Sequence, residues 1–162
     1  MCKWHRFMGW FVAALGVTIP VLGVSTAITM AHFNMHYLHS EDEASGLMVS
    51  FLDMAAFAVP FTLAICWRAK PEFHRRLILI ASCALTSAAF ARFPPSVLPQ
   101  SWFYLDVDIL ILLGAIRDLA RLRRVHPVYL FALPALVMGQ TVVMHTADSS
   151  AWLRIGNAIL QK

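Results

Sequence analysis

Five long apolar stretches, separated by short polar connections, dominate the chain. An apolar run of about 20 residues is long enough to cross the hydrocarbon core of a bilayer as a helix. The pattern therefore predicts an all-α, polytopic transmembrane bundle that forms one domain over 1–162. The predicted spans are 7–31, 47–67, 73–92, 102–120 and 127–145.

The charged residues alternate between the connections. Lys3 and Arg6 precede the first span, and the connections around 68–76 and 117–124 are rich in Arg, whereas 32–46 contains no Lys or Arg and 93–101 contains no charge. Basic connections lie on the cytoplasmic side of a membrane. We therefore expect a protein of the bacterial inner membrane with a cytoplasmic N-terminus and a periplasmic C-terminus.

Composition agrees with a membrane protein. Hydrophobic residues make up 59% of the chain, whereas soluble domains contain roughly 45–50%. The net charge of +4 does not indicate nucleic acid, because the basic residues flank the spans and can meet lipid head groups there. The predicted partners are the lipid bilayer and either a larger membrane complex or further copies of this chain.

Small and apolar residues suggest where helices pack. Gly9, Gly16 and Gly23 are seven residues apart, which places them on one stripe of the first span. The segment 151–162 is too short to span a membrane, and on a helix its apolar positions would lie opposite its polar positions. It is predicted to form an amphipathic helix on the outer membrane surface, or alternatively a truncated sixth span.

Ionisable residues from five helices fall at one depth near the outer membrane face. Charges inside hydrocarbon are costly, so these groups are expected to face one another or a wet cavity. Arg92 paired with Asp106 or Asp53 is the simplest arrangement. Structural ion pairs and a site for a ligand, proton or metal both remain open. The residues are His32, Asp53, Arg92, Asp106, Asp108 and His145.

His32 and His36 are four residues apart and share a face if the first helix continues. Two imidazoles at this spacing can bind a transition metal, with Asp53 or Glu43 as a third ligand. The alternative is a solvated, histidine-rich loop.

Three further histidines lie at the cytoplasmic ends of the predicted helices: His5, His74 and His126. Haem b needs two imidazoles from different helices at one depth. Two of these histidines could hold one haem, and His145 with His32 or His36 could hold a second. The alternative is that the inner histidines and the neighbouring arginines bind lipid phosphate.

The sequence contains none of the common hydrolase or kinase motifs. Its three cysteines, Cys2, Cys66 and Cys83, form no close pair. Cys66 and Cys83 are predicted to be buried, small hydrophobic residues.

Three elements carry a resemblance to a known group: His5-Arg6-Phe7-Met8-Gly9-Trp10, the stretch from Pro71 to Ala81, and Asp118 to Pro127. They resemble the H-R-x-L-G-W, P-E-x-H-K/R-R-L-M-L-x-A and D-x-x-x-x-R-x-H-P elements of bacterial multi-helix membrane proteins of unassigned biochemistry. The resemblance implies the helical architecture and marks His5, His74 and His126. It also implies a further helix, with another histidine, before the first element; because this sequence starts almost at His5, we expect either a truncated start or a shorter variant of the group.

Three functions fit these patterns. The first is a redox-linked membrane subunit that holds haem b or a quinone-like ligand between helices. The second is a non-catalytic accessory subunit of a larger membrane complex, with the glycine stripe as its docking face. The third is a small transporter or metal handler built on His32, His36, Asp53 and Asp106.

Overall fold

A computed structural model of the chain describes residues 3–40, 43–97, 99 and 102–161, without the side chains of 3–6 and 103. The described residues form helices and no strands, as predicted. The helices are α1 (Lys3–Tyr37), α2 (Glu43–Cys66), α3 (Pro71–Ala84), α4 (Ser87–Phe90), α5 (Phe103–Leu122), α6 (Pro127–Thr146) and α7 (Ser150–Leu160).

Within the described residues, three helices are long and apolar enough to cross a membrane: Phe7–Tyr37 within α1, Glu43–Cys66 and Pro127–Thr146. They match the first, second and fifth predicted spans and support a membrane protein. Helix α5 has the length of a span, but it carries five ionisable residues, Asp106, Asp108, Arg117, Asp118 and Arg121.

The predicted helix over 73–92 is not continuous. Helix α3 ends at Ala84 after 14 residues, and the four-residue α4 follows a turn. At the turn, the backbone N–H of Thr86 donates to the Cys83 carbonyl at 3.0 Å, and the Thr86 hydroxyl donates to the same oxygen at 2.6 Å. A threonine hydroxyl that bonds a preceding carbonyl weakens the helical ladder only slightly, and Thr18 makes the same kind of bond to Leu15 inside the unbroken α1, so this bond accompanies the break without accounting for it.

The chain divides into two compact units, described here separately. The first comprises 1–58 and 143–162, and the second comprises 59–142. The prediction of one helical domain over the whole chain stays a prediction.

In the first unit, helices α1, α2 and α7 meet around Ala31, Leu47 and Leu160, which are at most 4% exposed. The indole Nε1 of Trp152 donates to the Ala44 carbonyl at 2.8 Å. A Cβ at Gly156 would lie 2.9 Å from the Ala44 Cβ. The apolar stripe of α7 therefore packs on α1 and α2. The prediction that α7 lies on the outer membrane surface stays a prediction.

In the second unit, the core joins the end of α2 to α3, α5 and the start of α6. Its buried side chains are Ala64, Leu77, Ile80, Cys83, Val107, Ile111, Ala115, Val128 and Tyr129. Cys83 is buried, as predicted, but Cys66 is exposed, so the prediction of burial is wrong for Cys66. Cys2 lies outside the described residues.

Candidate functional site

A buried ion cluster joins α3 to α5 in the second unit. Arg76 is 5% exposed and Asp118 is 4% exposed. Arg76 Nε donates to Asp118 Oδ2 at 2.5 Å, and Arg76 Nη1 donates to the carbonyl and carboxylate oxygens of Glu72, both at 2.6 Å. A buried charge persists only when it is paired and hydrogen-bonded. The buried charges of Arg76 and Asp118 therefore depend on each other.

Glu72 lies in the first turn of α3 and forms the exposed side of the cluster. Its other carboxylate oxygen accepts from Arg75 Nη2 at 2.7 Å. The hydrogen bond from Arg76 is the main cause that lowers the pKa of Glu72; desolvation opposes it, and the hydrogen bond from Arg75 adds to the lowering. Glu72 thus stays ionised at neutral pH and neutralises part of the arginine charge at this end of α3.

Two histidines flank the ion cluster, and both take part in helix contacts. His74 Nδ1 lies 2.8 Å from the Ala64 carbonyl oxygen, which ties α3 to α2. The rings of His126 and Phe73 meet edge to face with centroids 4.7 Å apart. The rings of Phe73 and Trp67 also meet edge to face, with centroids 5.3 Å apart. These contacts bring the connection after α2 and the connection before α6 to one end of the second unit.

His126 acts as the N-terminal cap of α6. The backbone N–H of Val128 donates to His126 Nδ1 at 3.3 Å. Burial lowers the pKa of His126, and Arg76 lowers it further, while Asp118 and Glu72 act in the opposite direction. The imidazole is therefore neutral, with its hydrogen on Nε2, because a protonated ring could not accept this bond.

The histidines proposed for haem b differ in whether a ring nitrogen remains available to bind iron. A hydrogen bond from Nδ1 of His74 to a carbonyl is typical of metal-ligating histidines and leaves Nε2 as a ligand. His126 does not fit this role while it caps α6, because its only lone pair accepts from Val128. The His5 side chain lies outside the described residues. The outer pairing of His145 with His32 or His36 stays a prediction.

The predicted metal site is only partly assembled. The rings of His32 and His36 lie with centroids 4.3 Å apart. Asn34, which lies between the two histidines in the sequence, donates from Nδ2 to Glu43 Oε1 at 3.1 Å. Among the described residues, no group of three or more His, Cys, Asp or Glu is placed to hold a metal ion. The structure thus brings the two imidazoles together without a third ligand from Asp53 or Glu43.

The ionisable residues of the second unit that were assigned to the outer layer make different contacts from those predicted. Arg92 Nη1 donates to the Ala88 carbonyl at 2.6 Å, and within the described chain it contacts no carboxylate. The expected Arg92–Asp106 ion pair is therefore not formed. Asp108 Oδ1 instead accepts from Gln140 Nε2 at 3.1 Å. Oδ2 of Asp106 is buried and has no hydrogen-bond partner among the described residues.

Sequence reasoning missed the pairing of Arg76 with Asp118. One local signal was present, because Glu72 and Arg76 are four residues apart and share a face of α3. Asp118 gave no such signal, since it is 42 residues from Arg76. Asp118 was marked only by the resemblance of its segment to a family element.

Comparison of the chain with protein-family models, with curated proteins and with solved structures finds no match.

Proposed function

We propose that this chain is a non-catalytic accessory subunit that docks against a larger membrane complex through α1. The exposure of α1 supports this role. Only 6% of its most apolar 18-residue window is buried inside the chain, against 22% for each of the other two candidate spans. Of the three candidate spans, α1 has the smallest share of its apolar window buried.

The glycines of α1 indicate which part of the helix forms the docking face. A Cβ at Gly23 would collide with Met54 of α2, so this position already serves packing inside the chain. A Cβ at Gly9 would meet nothing within 4 Å among the described residues. Helices in lipid associate where small residues let their backbones approach closely. The stretch of α1 around Gly9 is the proposed docking face.

The finer architecture belongs to the same proposal: five spans in the bacterial inner membrane, with a cytoplasmic N-terminus and a periplasmic C-terminus. The meeting of the connections after α2 and before α6 supports it, because these two connections are predicted to be cytoplasmic. The ion cluster supports α5 as a span, since the buried charge of Asp118 is paired.

Co-purification tests the accessory role. We expect the native chain, extracted in mild detergent, to retain a stoichiometric membrane partner. Gly9→Leu should release this partner, because a large side chain blocks close approach of a second helix. Gly46→Leu is the matched control, since a Cβ at Gly46 also meets nothing within 4 Å in the part of the chain that the structure describes. A chain that purifies alone or only as a homo-oligomer contradicts the proposal, as does a Gly9→Leu variant that keeps its partner.

A redox-linked subunit is the second candidate, and His74 is the observation that favours it. Its Nδ1 contact with the Ala64 carbonyl fixes the ring and leaves Nε2 for haem iron or for a hydrogen bond to a quinone-like ligand. An absorption spectrum of the purified protein separates the two candidates. A Soret band that disappears in His74→Ala supports haem b, and a colourless preparation excludes it.

A further inference from the structure

Two basic connections that are far apart in sequence meet at one end of the second unit. The Arg76–Asp118 ion pair and the Phe73–His126 ring contact hold them together. Over 68–76 and 117–126 the sequence contains eight Lys or Arg residues and two carboxylates. Counting Lys, Arg, Asp and Glu alone, eight positive and two negative charges give these two stretches a net charge of +6.

Both carboxylates are already paired with buried or neighbouring arginines. Glu72 binds Arg75 and Arg76, and Asp118 binds Arg76. Five exposed cations at this end have no carboxylate partner within the described chain. They form what we call the basic surface: Lys70, Arg117, Arg121, Arg123 and Arg124.

Two arginines on α5 are spaced so that one anion can lie between their side chains. Arg117 and Arg121 are four residues apart, so their side chains neighbour each other on one helix face. Like charges at this spacing destabilise an isolated helix. An anion bound between the two guanidinium groups would remove this repulsion.

The position of the basic surface identifies the kind of anion. Lys70 follows the end of one candidate span at Cys66, and Arg124 precedes the start of another at Pro127. Residues so close to the ends of spans lie at the level of the lipid head groups. Clusters of Lys and Arg at this level attract anionic lipids, and guanidinium groups can bind phosphate oxygens bidentately.

We propose that the basic surface binds the phosphodiester head groups of anionic phospholipids. Arg117 and Arg121 hold one head group between them, and Lys70 and Arg124 bind at the ends of the two neighbouring spans. The binding requires the two connections to be held together, so it depends on the Arg76–Asp118 pair. It is independent of the accessory role and of any partner of α1.

Native mass spectrometry of the full chain tests this proposal. The protein is delipidated in a neutral detergent and titrated with phosphatidylglycerol or phosphatidylcholine. We expect tighter binding of phosphatidylglycerol, and an affinity about tenfold weaker in the double variant Arg117→Gln with Arg121→Gln. Arg154→Gln is the matched control, because Arg154 is an exposed cation on α7, outside the basic surface. It should bind as the parent does.

A second double variant, Lys70→Gln with Arg124→Gln, should also weaken phosphatidylglycerol binding. Its result decides the test if the first double variant does not fold. Equal binding of the two lipids by the parent would overturn the proposal. So would a folded double variant with unchanged phosphatidylglycerol binding. If inorganic phosphate alone binds with the same loss in the variants, and displaces the lipid, the surface is a site for free phosphate and the assignment to lipid is wrong.

Discussion

Replacing Asp118 with Asn tests the buried ion cluster, since it removes one negative charge and keeps the side-chain volume. Arg76 would remain buried, at 5% exposure, with Glu72 as its remaining carboxylate. Removing one partner of a buried ion pair typically costs about 3–5 kcal/mol. We expect about 3 kcal/mol, at the lower end, because the asparagine oxygen can still accept from Arg76 Nε and Glu72 still neutralises Nη1.

The loss can be measured by unfolding in detergent, followed by tryptophan fluorescence or by circular dichroism. With a shift of roughly 2–4 °C per kcal/mol for a chain of this size, the midpoint should fall by roughly 6–12 °C in Asp118→Asn. Glu72→Gln is the control, and its effect should be much smaller because the Glu72 side chain is 55% exposed. The double variant Arg76→Met with Asp118→Leu should recover most of the loss, since it leaves no buried charge.

Two results would refute this reasoning. An Asp118→Asn variant that unfolds at the temperature of the parent would mean that Asp118 does not compensate the buried charge of Arg76. A double variant that is no more stable than Asp118→Asn would mean that the cost arises from lost packing rather than from an unpaired charge.

Three further changes test separate contacts by the same unfolding measurement. Gly156→Ala should destabilise the chain by about 1 kcal/mol despite the better helix propensity of alanine, because its Cβ would meet the Ala44 Cβ at 2.9 Å. Ala44→Gly should restore the loss; an unchanged Gly156→Ala variant would contradict the contact. His39→Gly should stabilise the chain by about 1 kcal/mol, because His39, two residues after the end of α1, has a φ of 52° that glycine adopts without strain; no gain would contradict this. The stabilising contribution of neutral His126 should be complete above its ordinary pKa of 6.5 and lost as pH falls through its lowered folded pKa. His126→Asn should keep the cap and abolish this dependence, and a variant with the parent's pH profile would show that another group titrates.

The sequence predicted the helices that depend on local hydrophobicity. The candidate spans near Pro127 and Glu43 begin within a few residues of the predicted limits, because a long apolar run both forms the helix and fits the bilayer. The break at Thr86 was not predicted. The turn there carries a hydroxyl bond from Thr86 to the Cys83 carbonyl, and a hydropathy pattern does not contain hydrogen bonds of this kind.

The candidate site was less predictable, because its contacts join distant segments. Arg92 was expected to pair with Asp106, but it bonds the Ala88 carbonyl one turn earlier on its own helix. The Arg76–Asp118 pair was not predicted, since depth in the membrane is set by the sequence but the rotation of each helix about its axis is set by packing. His74 and His126 were recognised as notable, while their hydrogen-bond partners were not.

Cysteine labelling in sealed vesicles tests most directly whether the two basic connections share one face of the membrane. The three native cysteines, at positions 2, 66 and 83, are first replaced by serine. Lys70→Cys and Arg124→Cys are then introduced one at a time and treated with a membrane-impermeant maleimide. Ser40→Cys is the reference for the opposite face of the membrane. We predict that Lys70→Cys and Arg124→Cys are modified from the same side and Ser40→Cys from the other. Modification of Lys70→Cys and Arg124→Cys from opposite sides would contradict the account.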